Sequence, residues 1–163
     1  MIARAVAALA ALTALECAGA DATFTVKTIT PEAALKAAQA TMAKCRAEGF
    51  QVTVAVVDRS GVTQALIRDR FAMPGTVELA QRKAQTAVNF KMDTLELDRE
   101  TQPGRPAAAI RSNPGATIVG GGVVIQSSGS LVGAIGVSGA PGPSNDDLCA
   151  REGIKAIAED LEF

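Results

Sequence analysis

The sequence predicts an α+β domain, an antiparallel sheet with helices packed on it. Helical apolar stripes alternate with pairs of short β-rich runs joined by Gly-bearing turns, in the order helix, hairpin, helix, hairpin, helix. The strict βαβ alternation of a dinucleotide-binding fold is absent. Beyond residue 20 the chain has about 143 residues, an ordinary length for one domain. No internal repeat or linker divides it.

Residues 1–20 read as a secretory signal peptide rather than as part of the fold. Arg4 supplies a positive start, residues 6–15 are apolar or small apart from Thr13, and AGA at 18–20 forms a cleavage site before Asp21. Ala20 to Ala22 is a second possible cleavage point. A lipoprotein site at Cys17 fits less well, because Glu16 stands where a small residue is expected. The apolar run falls short of the ~20 residues that span a bilayer. The expectation is an exported protein, periplasmic or secreted, with residues 21–163 forming a single domain.

Thr30, Pro31 and Glu32 make a helix start: a hydroxyl N-cap, proline at the first helical position and an acid in the first turn. Ala34, Leu35, Ala38, Met42 and Cys45 keep the stripe until Gly49 ends it. Residues 51–57 are apolar on both faces, as in a central strand, and DRSG at 58–61 suits a tight turn with Gly61 at positive φ. Residues 62–68 return as the hairpin partner. A loop at 73–75 precedes a helix opened by Thr76 and Glu78 and running to about Met92, with Val77, Ala80, Ala84 and Ala87 or Val88 inward. Residues 94–116 show little regular pattern beyond a helical turn at 107–111. A second hairpin spans 118–126 and 131–138 around SSGS at 127–130. Ser144, with Asp147 three residues on, is expected to cap a last helix whose stripe is Ala150, Ile154, Ile157, Ala158 and Leu161.

Lys and Arg number 16 against 17 Asp and Glu, a net charge of −1. That balance is no footprint for nucleic acid or an anionic membrane. The chain has no histidine, which excludes imidazole metal ligands, a Ser-His-Asp relay and a histidine base. Past the leader two cysteines remain, Cys45 and Cys149; they either pair in an oxidising compartment or sit as buried free thiols.

Gly120, Gly121 and Gly122 interrupt an apolar strand. They mark either backbone approaching a flat ligand or a close helix–strand crossing. GAPGP at 139–143 runs into the N-terminus of the last helix, suiting an anion or serving as a stiff connector. Lys83, Thr86 and Phe90 line one helix face, as a pocket edge or a solvated surface. Arg68 and Arg70, leaving a strand, are either bidentate partners for carboxylates or exposed edge charges. Met73 and Met92 are the soft-donor candidates in a chain without histidine, or simply fill gaps. Glu96, Asp98 and Glu100 mimic a carboxylate pair but lie in a polar segment with Arg99, so a solvated acidic turn is expected.

VAVVDRSG at 54–61, QRKAQTA at 81–87 and LVGAIGVSGA at 131–140 together resemble the GlcG/HbpS family of haem-binding proteins. That domain also occurs at the C-terminus of PduO-type corrinoid adenosyltransferases. The resemblance runs from about Thr30 onward. It implies a profilin-like five-stranded sheet between helices, haem as cofactor and a homo-oligomer. The family's threonine-linked haem attachment would fall to Thr86 here. Corrinoid-binding relatives use histidine on cobalt, so this chain departs from their pattern.

The resulting expectation is an exported haem-binding protein for storage, sensing or delivery. Lys83, Arg68 and Arg70 would meet carboxylates, Phe90 would pack on the ring, and the three glycines would allow close approach. The alternative is an accessory enzyme for a small hydroxy- or keto-acid of the glycolate type, with Lys83 as acid/base or carbonyl-binding group. A purely structural oligomer or sensor partner is the third reading.

Overall fold

The structure is a computed structural model describing residues 22–162; the expected signal peptide lies outside the described residues. Helix α1 (Pro31–Ala47) begins as its sequence requires. Thr30 is extended, its hydroxyl accepts from the Ala33 N–H at 3.2 Å, and Pro31 occupies the first turn. Gly49 ends it at φ +81°. The buried side is Ala34, Ala37, Ala38, Thr41, Met42 and Cys45. Leu35, expected on that stripe, faces solvent, because the small residues form the seam.

Strands β1 (Thr53–Asp58) and β2 (Thr63–Arg68) form the first hairpin, and β3 (Gly122–Ser127) and β4 (Ser130–Ser138) the second. The Asp58 carboxylate accepts from the Ser60 and Val62 amides at 2.8 and 3.1 Å, and Gly61 takes φ +81°. Ser128 and Gly129, both at positive φ, close the second turn. β1 and β4 join the hairpins antiparallel, from Thr53 opposite Ser138 to Asp58 opposite Gly133. The order is β2-β1-β4-β3.

That is four strands among the described residues, not the five the resemblance implied. The arm before α1 places one rung beside β4, from the Ile29 N–H to the Val132 carbonyl at 3.0 Å, and then turns into the helix. Pro31 has no N–H to continue a ladder. Residues 118–121 also stay outside β3, which starts only after Gly121 has turned the backbone at φ +111°.

Helices cover both faces. α1 and α4 (Pro143–Lys155) pack on one, over Val54, Val56, Val123, Ile125, Ile135 and Val137. α2 (Thr76–Phe90) packs on the other, with Ala84, Ala87 and Val88 against Val57 and Ala134. The period-2 alternation of β1 and β4 therefore feeds two cores, as a doubly covered strand demands. No helix among the described residues is long and apolar enough to cross a membrane.

α2 lies unusually close to the sheet. A Cβ on Gly136 would run into the Ala80 carbonyl, and one on Gly122 into the Lys83 carbonyl. Gly136→Ala should therefore cost about 1–3 kcal/mol through overpacking, read as a lower urea midpoint. An unchanged midpoint would show that the helix yields freely.

Cys45 on α1 and Cys149 on α4 are joined, with sulfurs 2.11 Å apart and Cα atoms 5.5 Å apart. The free-thiol alternative is thereby removed. The stretch expected to be irregular contains a short helix, α3 (Thr94–Glu100), anchored because the Thr94 hydroxyl accepts from the Gly122 N–H at 2.8 Å. The 107–111 turn appears as a 3-10 helix, Ala108–Ser112.

The Ser144–Asp147 capping box does not form. Pro143 pre-sets helical φ and starts α4 two residues earlier, with Gly142 at φ +86° in the N-cap position. Asp147 instead accepts from Arg151 Nε at 2.7 Å. α4 also stops at Lys155, so Ala158 faces solvent and Leu161 lies on a separate 3-10 turn.

Candidate functional site

Between the N-terminal half of α2 and the loop entering α4 lies a cavity of about 470 Å³. Met73, Leu79, Val119 and Pro143 supply apolar walls, the backbone of residues 138–140 one side, and Lys83 with Asp146 the floor. This combination, mostly apolar with a few convergent polar groups, is what a small-molecule site requires.

Lys83 is 1% exposed. Its Nζ donates to Asp146 Oδ2 at 2.7 Å and to the Val137 carbonyl at 2.9 Å. The other oxygen of Asp146 accepts from the Ala140 N–H at 2.9 Å. Burial pushes the Asp146 carboxyl above its ordinary value, and the charge and hydrogen bond of Lys83 pull it part of the way back. The middle glycine makes room for the pair: a Cβ on Gly121 would lie 3.0 Å from Lys83 Nζ and 2.6 Å from Asp146 Cβ.

The other expected site residues disperse. Gly120, Gly121 and Gly122 are buried, and the side-chain positions they leave empty are filled by Leu95, Asp146, Lys83 and Thr94. The helix–strand crossing accounts for Gly122, which meets the Lys83 carbonyl, while Gly121 adjoins the Lys83–Asp146 pair. Thr86 is also buried: its hydroxyl donates to the Arg82 carbonyl at 2.7 Å and accepts from the Thr117 N–H at 2.9 Å, tying the 113–118 loop to α2. Phe90 is half-buried at the far end of α2, about 10 Å along the axis from Lys83 at 1.5 Å per residue. Neither lines the cavity. Lys83 and Thr86 face inward rather than forming a solvated stripe, because α2 rests so closely on β4.

Arg68 donates from Nη1 to the Ala72 carbonyl and borders a different, smaller groove beside Met42 and Arg46 of α1. Arg70 is exposed at the start of the loop that carries Phe71 and Met73. Met73 lines the cavity mouth, whereas Met92 is half-buried past the end of α2. Glu96, Asp98 and Glu100 sit on or at the end of α3, a helix rather than a turn. Asp98 pairs with Arg111, and Glu100 lies 3.8 Å from Arg105. No group of three or more metal-ligating acids or cysteines occurs among the described residues.

Asp146, at the cavity, and Phe71, on the loop that reaches it at Met73, escaped the sequence reading. Asp146 stood next to the expected capping residue Asp147, and no local pattern separates the acid that turns inward from its neighbour. Phe71 had no apolar period around it, yet it is 77% exposed beside Met73 at 68%.

Residues 29–155 match the family described as haem degrading protein, HbpS-like. The crystal structure of a double mutant of HbpS from Streptomyces reticuli superposes with a TM-score of 0.78 at 34% identity, covering 94% of this chain and 99% of that one. The PduOC–haem complex gives a TM-score of 0.73 at 28% identity, covering 80% of this chain and 95% of the other. The corrinoid adenosyltransferase PduO of Citrobacter freundii is 36% identical over 116 residues, 69% of this chain. The match spans only 34% of that enzyme, about a third of its length.

Proposed function

The chain belongs to the HbpS-like family, and on that premise we propose that it is an exported haem-binding protein serving haem storage, sensing or delivery. The observation that carries the reading is the loop that reaches the cavity at Met73, on which Phe71 and Met73 are exposed beside Arg70. A volume of about 470 Å³ takes one edge of a porphyrin, not the whole disc, so the attachment is a surface one. Haem brings its own redox-active iron. The protein supplies an apolar wall for the ring edge, an aromatic side chain to stack, a guanidinium for a propionate and the Met73 thioether as soft donor.

The contact set thus moves from the helix to the loop. Lys83 is engaged by Asp146, Arg68 by the Ala72 carbonyl, and Thr86 by Arg82 and Thr117, so of the three cations expected to meet carboxylates Arg70 keeps the propionate role. Export is supported by the Cys45–Cys149 bond, which suits an oxidising compartment. Assembly as a homo-oligomer belongs to the same reading and is checked by light scattering.

Haemin titration tests the proposal. A saturable Soret shift at about one haemin per chain is expected. Met73→Ala or Arg70→Ala should weaken it about tenfold, close to 1.4 kcal/mol. A spectrum indistinguishable from haemin with an inert protein would sink it.

A further inference from the structure

At the cavity floor the buried Lys83–Asp146 pair borders open space, and haem at the mouth makes no use of it. We propose that this floor is a second site, for small carbonyl-bearing acids of the 2-oxo type, with Lys83 capturing the carbonyl carbon as a Schiff base and Asp146 moving the proton. The inference does not rest on haem binding.

Three features carry it. Lys83 has three N–H donors, and the bonds to Asp146 and Val137 account for two; the residue lines the cavity. The walls at Leu79 and Val119 are apolar and both partners are buried, so a proton passed within the pair leaves no charge unpaired. Gly142 and Pro143 line the cavity where α4 starts, which brings the positive end of a 13-residue helix to its wall.

The chemistry balances without another reactant. The ammonium gives a proton to Asp146 Oδ2, and the freed amine adds to the carbonyl carbon. The carbonyl π pair moves to oxygen, and a proton from nitrogen makes the carbinolamine. Asp146 then returns its proton to that hydroxyl, the C–O bond breaks, and water leaves as the nitrogen pair forms the C=N bond. The product is an iminium facing an aspartate, the same charge pair as at rest. The buried site therefore acquires no uncompensated charge, a condition that a lysine without a partner carboxylate would not meet.

Reductive trapping decides it. The full chain is incubated with glyoxylate or pyruvate, reduced with sodium cyanoborohydride, and its adducts located by peptide mass mapping. The expected result is one adduct, on Lys83, formed at least tenfold faster than on exposed Lys36 or Lys155. Asp146→Asn, which keeps the shape and loses the proton acceptor, should lower the Lys83 rate by tenfold or more with circular dichroism unchanged. An unmodified Lys83 beside labelled surface lysines would overturn the proposal and leave the pair as a tie between α2 and α4. Should the Asn variant unfold, the wild-type map decides alone. Haemin titration of the same samples reports on the mouth separately, so either reading can fail without the other.

Discussion

Lys83→Met should destabilise the protein by about 3–5 kcal/mol at neutral pH, the usual cost of stripping a buried charge of its partner. Methionine keeps the bulk of the side chain but abandons Asp146, which is 4% exposed and retains only the Ala140 amide. The loss should depend on pH in a definite direction. Burial already holds the Asp146 carboxyl above its ordinary value, and removing the ammonium removes an opposing influence, so it rises further. A carboxyl raised in the folded state favours folding when protonated. Its stability contribution is complete below the unfolded value of 3.8 and is lost as pH rises through the folded value. The deficit of the variant relative to wild type should therefore shrink as urea titrations move from pH 7.5 towards pH 4.5. Replacing both partners, Lys83→Met with Asp146→Leu, should recover most of it, since no charge then remains buried. A deficit below about 1 kcal/mol at neutral pH, within the range of an exposed ion pair, would contradict the buried pairing.

The second large effect concerns the covalent tie. Changing Cys45 and Cys149 together to alanine should cost about 4–5 kcal/mol, the chain-entropy value for a loop of this length, since the two are 104 residues apart. The bond links the first helix to the last. Their seam is built from small residues, with Ala37 and Thr41 directly against Gly153. Both cysteines are fully buried, so a reductant should reach the bond only as the helices part. Urea midpoints of wild type with and without reductant should differ widely after equilibration, while the double variant ignores reductant. Coincident wild-type midpoints would show that the cross-link contributes nothing.

Local chemistry was enough to read the secondary structure nearly everywhere that a single residue sets the backbone. Thr30 with Pro31 opens α1, Gly61 takes the positive φ of the first hairpin turn, and the near-continuous apolar run through β1 marks a strand covered on both faces. Each is a short-range effect, of capping, allowed φ or pleat, and needs no knowledge of the rest of the chain. Where two local signals competed the reading slipped, as when Pro143 displaced Ser144 as the start of α4.

The candidate site was legible only in its lysine. Lys83 meets Asp146 across 63 residues and Val137 across 54, and no periodicity links positions so far apart. The same holds for Cys45 and Cys149, and for the glycines at 120–122, whose sequence signal was loud but ambiguous. A glycine tells that something comes close, and only the fold tells whether it is a ligand or a helix. The sequence by itself determined the element order, the hairpins, the absence of imidazole chemistry and the family. The tertiary structure decided the pairing of β1 with β4, the partner of Lys83, the inward turn of Thr86 and the exposed loop at Phe71 and Met73. The inward turn of Lys83 and Thr86 follows from how closely α2 approaches the sheet, where Gly122 and Gly136 meet helix backbone, a contact between residues remote in the chain.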